Sequence, residues 1–290
     1  MKDKALPESW IVYILDSHLN SIYLIYEDRL EILRKTTADL KKYREYILTS
    51  ITTNMRTDFA NSYIGYIWWI LDPLLFMLVY VLIFQVILQT TIPNYPVFLM
   101  CSLIFWRWIS TSIMQSTTSI ISKRSILSQT YIPKFILPLI KIGTNSIYFI
   151  FSVFVLLVFL LIYHIPFTWH FIEIVPLFVV TFLLIYSVGL WLAHLGVYFV
   201  DVERILLFIL RIWYYVSPGV YAVANVPAPL KKYIWLNPLT PIFESSRNIF
   251  LYNKSPTYEM LGIWTIIYLF LIYFGLKKLN KFDKTYTKIF

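Results

Sequence analysis

The chain has 290 residues, of which 59% are hydrophobic and only 14% are charged. Because soluble domains contain about 25% charged residues, this composition excludes an ordinary soluble domain and indicates an integral membrane protein. The net charge of +9 does not indicate a nucleic-acid partner, because the lysines and arginines cluster at the ends of apolar segments, as membrane topology requires. We therefore expect contact with membrane lipid and not with nucleic acid.

The first segment, residues 1–56, contains nine lysines and arginines and is predicted to form a cytoplasmic arm. Within it, Leu40, Tyr43, Ile47 and Ile51 recur at helical spacing. This pattern predicts an amphipathic helix that lies in the membrane interface, with a plain solvated helix as the alternative.

A transmembrane domain is predicted over residues 57–276, since a bilayer core of about 30 Å requires about 20 apolar residues per helix. Six stretches meet this requirement, near residues 66–89, 97–121, 137–163, 174–199, 205–224 and 260–276. The first of them contains an Asp-Pro pair, Asp72 and Pro73, and is predicted to be a broken helix.

Basic residues set the orientation of these spans. The arm, the loop with Lys123, Arg124 and Lys134, the turn at 201–204 and a basic tail over 277–290 all fall on one side of the membrane. The positive-inside rule makes that side the cytoplasm. We therefore predict a multi-pass protein of the cell membrane with both termini in the cytoplasm.

The outer segment 225–259 contains five prolines, yet the stretches between them are apolar and aromatic. Thr240 and Pro241 are typical of a helix start, as N-cap and first helical residue. We expect two short helices that re-enter the outer leaflet, with a hairpin lying on the surface as the alternative. The predicted fold is thus all-α, with six transmembrane helices, an N-terminal amphipathic interfacial helix and re-entrant helices before the last span.

Motifs for catalysis are missing from the sequence. There is no phosphate-binding GxxxxGK[ST] sequence, so we do not expect this chain to hydrolyse ATP or to bind a cofactor. The single cysteine, Cys101, and the scattered histidines indicate no metal site; these histidines are His18, His164, His170 and His194. A membrane glycosyltransferase or acyltransferase would need clustered carboxylates, and Asp201 with Glu203 are more typical of a cytoplasmic turn. We predict no catalytic residue.

Three charges lie inside predicted spans: Asp72, Arg107 and Arg211. Each costs at least about 2.5–3.5 kcal/mol at the centre of a membrane helix, so a function is expected. One hypothesis is that the arginines face a central path and bind an anionic group, since guanidinium matches phosphate bidentately. The other is an ion pair between Asp72 and Arg211 that joins two helices.

Aromatic residues cluster beside these charges. Flat rings with a polar tip suit stacking on sugar faces in an apolar passage, and they equally suit tight helix packing. The residues considered for the substrate path, besides the three charges, are Trp68, Trp69, Trp106, Trp108, Trp213, Tyr214 and Tyr215.

Three blocks of sequence resemble the polysaccharide-export permeases of the ATP-binding-cassette superfamily. The run NSYIGYIWWILDPLLFMLVYVLIF resembles their first span, and FWRWISTSIMQSTTSIISKRSILSQTYIPKFILPL is similar to their second span and cytoplasmic coupling loop. The third block, GVYFVDVERILLFILRIWYYVSPGVYAV with the NPLTP segment after it, resembles their Asp-bearing turn, Ser-Pro break and outer segment. These blocks cover most of residues 57–252.

The resemblance implies a homodimer with two copies of a separate ATPase subunit, which would bind the ATP and Mg, and a lipid-linked glycopolymer as the exported substrate. It favours wall teichoic acid, with O-antigen or capsular polysaccharide and a drug or antibiotic exporter as alternatives. By the same resemblance, residues 122–138 meet the ATPase, and the coupling residues are Ser122, Lys123, Arg124, Tyr131, Ile132, Pro133 and Lys134.

Overall fold

The computed structural model describes residues 30–60, 67–89, 92–199 and 201–289, and it contains no β-strand in these ranges. These residues fall into two compact units, one ending at Tyr46 and the other beginning at Ile47. The helices are α1 (30–42), α2 (Arg44–Ala60), α3 (Ile67–Val81), α4 (Tyr95–Thr117), α5 (Arg124–Leu127), α6 (Ile136–Ile162), α7 (Ile174–Tyr198), α8 (Val202–Val216), α9 (Ala228–Ile234), α10 (Leu239–Phe250) and α11 (Tyr258–Ile289).

Four of the described helical segments are long and apolar enough to cross a membrane. They are Tyr95–Thr117, Ile136–Ile162, Trp169–Tyr198 and Tyr258–Asp283. The corresponding helices α4, α6, α7 and α11 start within two residues of the predicted positions. The prediction of a helical integral membrane protein is confirmed.

The first predicted span is helical but is not broken at its Asp-Pro pair. Helix α3 runs through Pro73 and continues as a six-residue π-helix, Leu82–Ile87. A proline removes one backbone hydrogen bond, and membrane helices tolerate this loss when the freed carbonyl finds another partner. The prediction of a break at this pair is therefore wrong, and the irregular turn lies nearer the end of the span.

The predicted fifth span is shorter than its apolar sequence. Helix α8 has 15 residues and ends at Val216, and Ser217 is extended with ψ of 152°. Pro218 explains the end, because a proline disfavours the helical conformation of the residue before it. At about 1.5 Å per residue α8 is about 22 Å long, so the apolar stretch 205–224 is not one continuous helix. The helix ends at the Ser-Pro pair, where the resemblance to export permeases places a break.

The two short helices predicted in the outer segment are present as α9 and α10. Helix α10 begins at Leu239, and the Thr240 hydroxyl lies inside it and donates to the Ile234 carbonyl at 2.6 Å. The predicted N-cap role of Thr240 is therefore wrong. Ten of the twelve α10 residues are buried, so this helix packs within the protein.

Helix α4 is the centre of the transmembrane unit. Eighteen of its 23 residues are buried, against 12 of 27 in α6. It packs against α3, α6, α7, α8 and α10. A Cβ added at Gly196 on α7 would lie 2.1 Å from the Thr117 carbonyl oxygen at the end of α4, so glycine is required for this close approach.

The two ends of the transmembrane unit also pack onto its core. From α2, the Asn54 amide donates to the Thr144 hydroxyl at 3.5 Å, and Asp58 accepts from the Tyr148 hydroxyl at 2.7 Å, so this part of α2 lies against α6. At the other end, the predicted basic tail continues α11 as regular helix through Ile289.

Candidate functional site

Helix α8 has one buried and one exposed face. Leu206, Leu210 and Tyr214 are buried at helical spacing. The opposite face exposes large apolar side chains, with Phe208 at 65% and Ile212 at 63%. Arg211 is exposed and lies beside Ile212 on the helix. The predicted path residue Arg211 is therefore a cation among exposed apolar side chains.

Aromatic rings join α8 to α3 and α4 directly behind this face. Trp106 stacks on Tyr214 with centroids 5.0 Å apart and meets Trp213 edge-on at 6.3 Å. Tyr80 on α3 meets Tyr214 edge-on at 6.1 Å, and its hydroxyl lies 3.2 Å from the Tyr215 hydroxyl. The structure thus brings four of the predicted aromatic residues together. We call Tyr80, Trp106, Trp213, Tyr214 and Tyr215 the aromatic cluster.

Trp108 lies elsewhere, although it is only two residues from Trp106. Its ring stacks on Phe149 of α6 at 4.5 Å and on Phe178 of α7 at 4.8 Å, and only 3% of it is exposed. Trp108 thus contributes to helix packing and not to the aromatic cluster. Its sequence position gave no sign of this difference.

Arg107 faces α3 and does not share the exposed face of Arg211. Its guanidinium carbon lies 5.3 Å from the centroid of the Phe76 ring, which is cation–π distance. The side chains of Trp68, Trp69 and Asp72 lie outside the described residues, and so does the predicted Asp72–Arg211 ion pair. The two arginines therefore occupy different environments on neighbouring helices.

The predicted coupling residues divide into an exposed and a buried set. Ser122, Arg124 and Tyr131 are exposed, and Lys123 is half-buried. The end of the loop is buried, with Ile132 at 3% and Lys134 at 2%, and Pro133 lies between them. The exposed residues lie around the short helix α5, where another subunit can reach them.

Arg247 on α10 is a functional candidate that the sequence prediction missed. It is fully buried and forms an ion pair of 2.8 Å with Glu244. Its guanidinium also donates to the carbonyls of Gly219 at 2.8 Å and Tyr221 at 3.4 Å, just after α8 ends. A signal was available, because the Ser-Pro break leaves backbone carbonyls without helical partners and a buried arginine supplies donors for them.

Other polar groups bind the same break. Ser102 of α4 donates to the Gly219 carbonyl at 2.6 Å, and the Tyr95 hydroxyl donates to the Val220 carbonyl at 3.0 Å. Asn237 donates to the Ser217 hydroxyl at 2.7 Å and accepts from the Trp213 indole at 2.9 Å. The end of α8 is therefore fixed to α4 and to the outer segment, right beside the aromatic cluster.

The described part of the chain holds no group of three or more histidine, cysteine, aspartate or glutamate residues that could bind a metal. Cys101 is buried within α4.

Long apolar helices around a buried central helix, with a cationic and aromatic surface on one of them, define a multi-span α-helical membrane protein. The chain belongs to the ABC-2 type transporter family, whose sequence model matches residues 45–251. The resemblance stated from the sequence blocks is therefore confirmed at the level of the family.

Curated relatives cover most of the chain. It is 28% identical over 245 residues to an O-antigen export system permease protein RfbA of Klebsiella pneumoniae, covering 84% of this chain and 94% of that protein. It is 30% identical over 227 residues to the RfbA protein of Myxococcus xanthus, covering 77% and 86%. It is 23% identical over 224 residues to the polysialic acid transport protein KpsM of Escherichia coli, covering 75% and 86%.

Proposed function

We propose that this chain is the permease subunit of an ATP-driven exporter that moves a lipid-linked polysaccharide across the cell membrane. The observation that carries the proposal is the exposed face of α8, where Arg211 lies among apolar side chains next to the aromatic cluster. A cation in a membrane segment is costly unless it faces water, protein or an anion. The family match and the relatives' names support an exporter as the context for this face.

The exported polymer is proposed to be an O-antigen or capsular type of polysaccharide. The relatives' names favour this class, since they refer to O-antigen export and polysialic acid transport. Wall teichoic acid, which the first-span sequence favoured, becomes the alternative, and a small amphiphilic drug is the more distant one.

Six crossings are proposed, although only four described helices reach full length. The segment of α3 and its π-helical end supplies the first crossing, and α8 supplies the fifth together with the outer helices α9 and α10. In this arrangement α10 reaches back into the outer leaflet, and its burial keeps its backbone away from lipid. Both termini and the coupling loop then lie in the cytoplasm.

A homodimer completes the path. If two copies place their exposed α8 faces opposite each other, Arg211 and the neighbouring rings line a passage between the subunits. The guanidinium then binds the anionic head of a polyprenyl-pyrophosphate carrier, and the aromatic rings contact the sugars.

Energy for transport comes from two copies of a separate ATPase subunit, which holds the ATP and Mg. The exposed residues Ser122, Arg124 and Tyr131, with the half-buried Lys123, are proposed to contact this subunit. The chain itself then moves the polymer and performs no covalent step.

The experiment is deletion of the gene and restoration from a plasmid, followed by measurement of surface polysaccharide and of teichoic acid. Arg211→Gln is compared with Arg204→Gln, a matched control on the same helix that is exposed and lies 3.8 Å from Asp201. We expect Arg211→Gln to lower surface polysaccharide at least about tenfold, as loss of a charge-assisted contact would, at wild-type levels of protein in the membrane. The control should restore export.

The results separate the alternatives. Full export by Arg211→Gln would remove this residue from the path. Loss of teichoic acid alone on deletion would favour the alternative polymer.

A further inference from the structure

The end of the coupling loop is tied to the last helix of the chain by a buried ion pair. The Lys134 side chain is 1% exposed, and its Nζ lies 3.2 Å from Oδ1 of Asp283 on α11. The same ammonium donates to the Ile132 carbonyl at 3.2 Å and lies 5.2 Å from the centroid of the Tyr131 ring. The Asp283 contact is close enough for an ion pair, although its direction is not that of a hydrogen bond.

The part of α11 that carries Asp283 is fixed in turn to α7. Tyr286, fully buried, is hydrogen-bonded through its hydroxyl to Nδ1 of His194. Burial raises the pKa of the Tyr286 hydroxyl, so this hydroxyl stays protonated. A second contact between the two helices lies earlier in both, where the Trp191 indole of α7 donates to the Leu271 carbonyl of α11 at 3.1 Å. At Leu279 and Tyr286 this part of α11 is therefore packed within the transmembrane unit.

A buried ion pair of this kind is better explained by its effect on where the two side chains are held than by a gain in the free energy of unfolding. Replacing both partners of a buried ion pair by apolar residues is often neutral, because desolvation offsets their attraction. Removing one partner leaves an uncompensated buried charge. Lys134 is also too buried to meet another subunit directly, whereas Tyr131 beside it is 53% exposed.

We propose that Asp283 is a positioning residue for the coupling loop: through Lys134 it holds residues 131–134 against α11, so that force applied to the exposed loop is passed to α11 and α7. The inference rests on the proposed function, because it assumes an ATPase subunit that contacts the loop. It gives the C-terminal helix end a role in coupling that the family match does not reach, since that match ends at residue 251.

The test uses the full permease purified with its ATPase subunit and reconstituted in liposomes that contain polyprenyl-pyrophosphate-linked polysaccharide. Three quantities are measured: ATPase subunit that copurifies, ATP hydrolysed, and polysaccharide moved per ATP. We expect Asp283→Asn to keep the ATPase subunit bound and to lower polysaccharide moved per ATP at least about tenfold, because small displacements of a coupled group have large effects on rate. Lys281→Met, an exposed charge removal on the same helix, should leave this ratio unchanged.

Two double variants distinguish a loss of coupling from a failure of the protein to fold. The exchange Lys134→Asp with Asp283→Lys should restore the ratio to within about threefold of wild type, since the pair interacts directly. Lys134→Met with Asp283→Leu removes both charges without leaving one unpaired, so it should fold and yet remain uncoupled. A normal ratio in this apolar variant or in Asp283→Asn overturns the proposal, as does loss of the ATPase subunit from Asp283→Asn.

The result for the wild-type complex distinguishes a failure of the proposed function from a failure of the positioning role of Asp283. A wild-type complex that moves no polysaccharide contradicts the proposed function. A working wild type with an unaffected Asp283→Asn contradicts only the positioning role.

Discussion

Arg247 connects three parts of the molecule through one side chain. Its guanidinium reaches the carbonyls of Gly219 and Tyr221 after α8, and its guanidinium carbon lies 3.6 Å from the centroid of the Phe98 ring on α4. The ion pair with Glu244 balances its charge within α10. A buried arginine with carbonyl, carboxylate and aromatic partners fixes these groups relative to one another.

Arg247→Met is therefore expected to destabilise the fold. Breaking a buried ion pair by removing one partner costs about 3–5 kcal/mol, and the carbonyls of the break lose donors as well. The measurement is thermal unfolding of the detergent-solubilised protein, followed by tryptophan fluorescence. Arg204→Met, which removes an exposed arginine, is the control and should change stability by less than about 0.5 kcal/mol. Equal unfolding midpoints for the two variants would contradict the role given to Arg247.

Residue-level predictions from the sequence succeeded only where local pattern carries the information. Trp106 and Trp108 look alike in the sequence, yet one faces α8 and the other faces α6 and α7. Arg107 and Arg211 were noticed because they interrupt apolar runs, whereas Arg247 was hidden in a segment rich in prolines and polar residues. The His194–Tyr286 contact joins residues 92 apart, which no local pattern predicts.

Helices α4 and α7 approach closely because glycine occupies the crossing. Gly196 lies against the backbone of Thr117, the last residue of α4, and the coupling loop begins just beyond it. Small residues at such crossings let helix backbones come together in membranes. The position of the loop relative to α7 thus depends on this contact.

Gly196→Ala is expected to destabilise the protein by about 1–3 kcal/mol, since overpacking of a tight contact forces the backbone apart. Gly262→Ala is the matched control on α11, because a Cβ there meets nothing within 4 Å. It should be neutral or slightly stabilising, by up to about 1 kcal/mol, through helix propensity. The two unfolding midpoints are compared by the same fluorescence measurement, and an unchanged midpoint for Gly196→Ala would argue against a close crossing.

Element boundaries were predictable where hydropathy alone decides them. The starts of α4, α6, α7 and α11 followed from long apolar runs. Helix α8 ended earlier than its apolar sequence because Pro218 and the polar partners of the break override hydropathy. The first residue of α10 was also predicted wrongly. The Thr240 hydroxyl donates to the Ile234 carbonyl and does not cap the N-terminus of α10.

If the proposed function is correct, the described helices of the transmembrane unit divide into those that line the path and those that hold the loop. The helix that lines the path is α8 with its exposed apolar face and Arg211, backed by the aromatic cluster. The helices that hold the loop are α7 with α11, which holds the end of the coupling loop through Lys134 and Asp283. Central helix α4 contacts both α7 and α8, so a displacement at the loop has a packed route to the path.

In the proposed mechanism this chain forms the path and a separate subunit supplies the energy. The most direct measurement is movement of polyprenyl-pyrophosphate-linked polysaccharide across liposomes that contain the wild-type permease with or without its ATPase subunit. We expect movement that requires both ATP and the ATPase subunit, and no ATP hydrolysis by the permease alone. ATP hydrolysis by the permease alone, or equal movement of polysaccharide without the ATPase subunit, would contradict it.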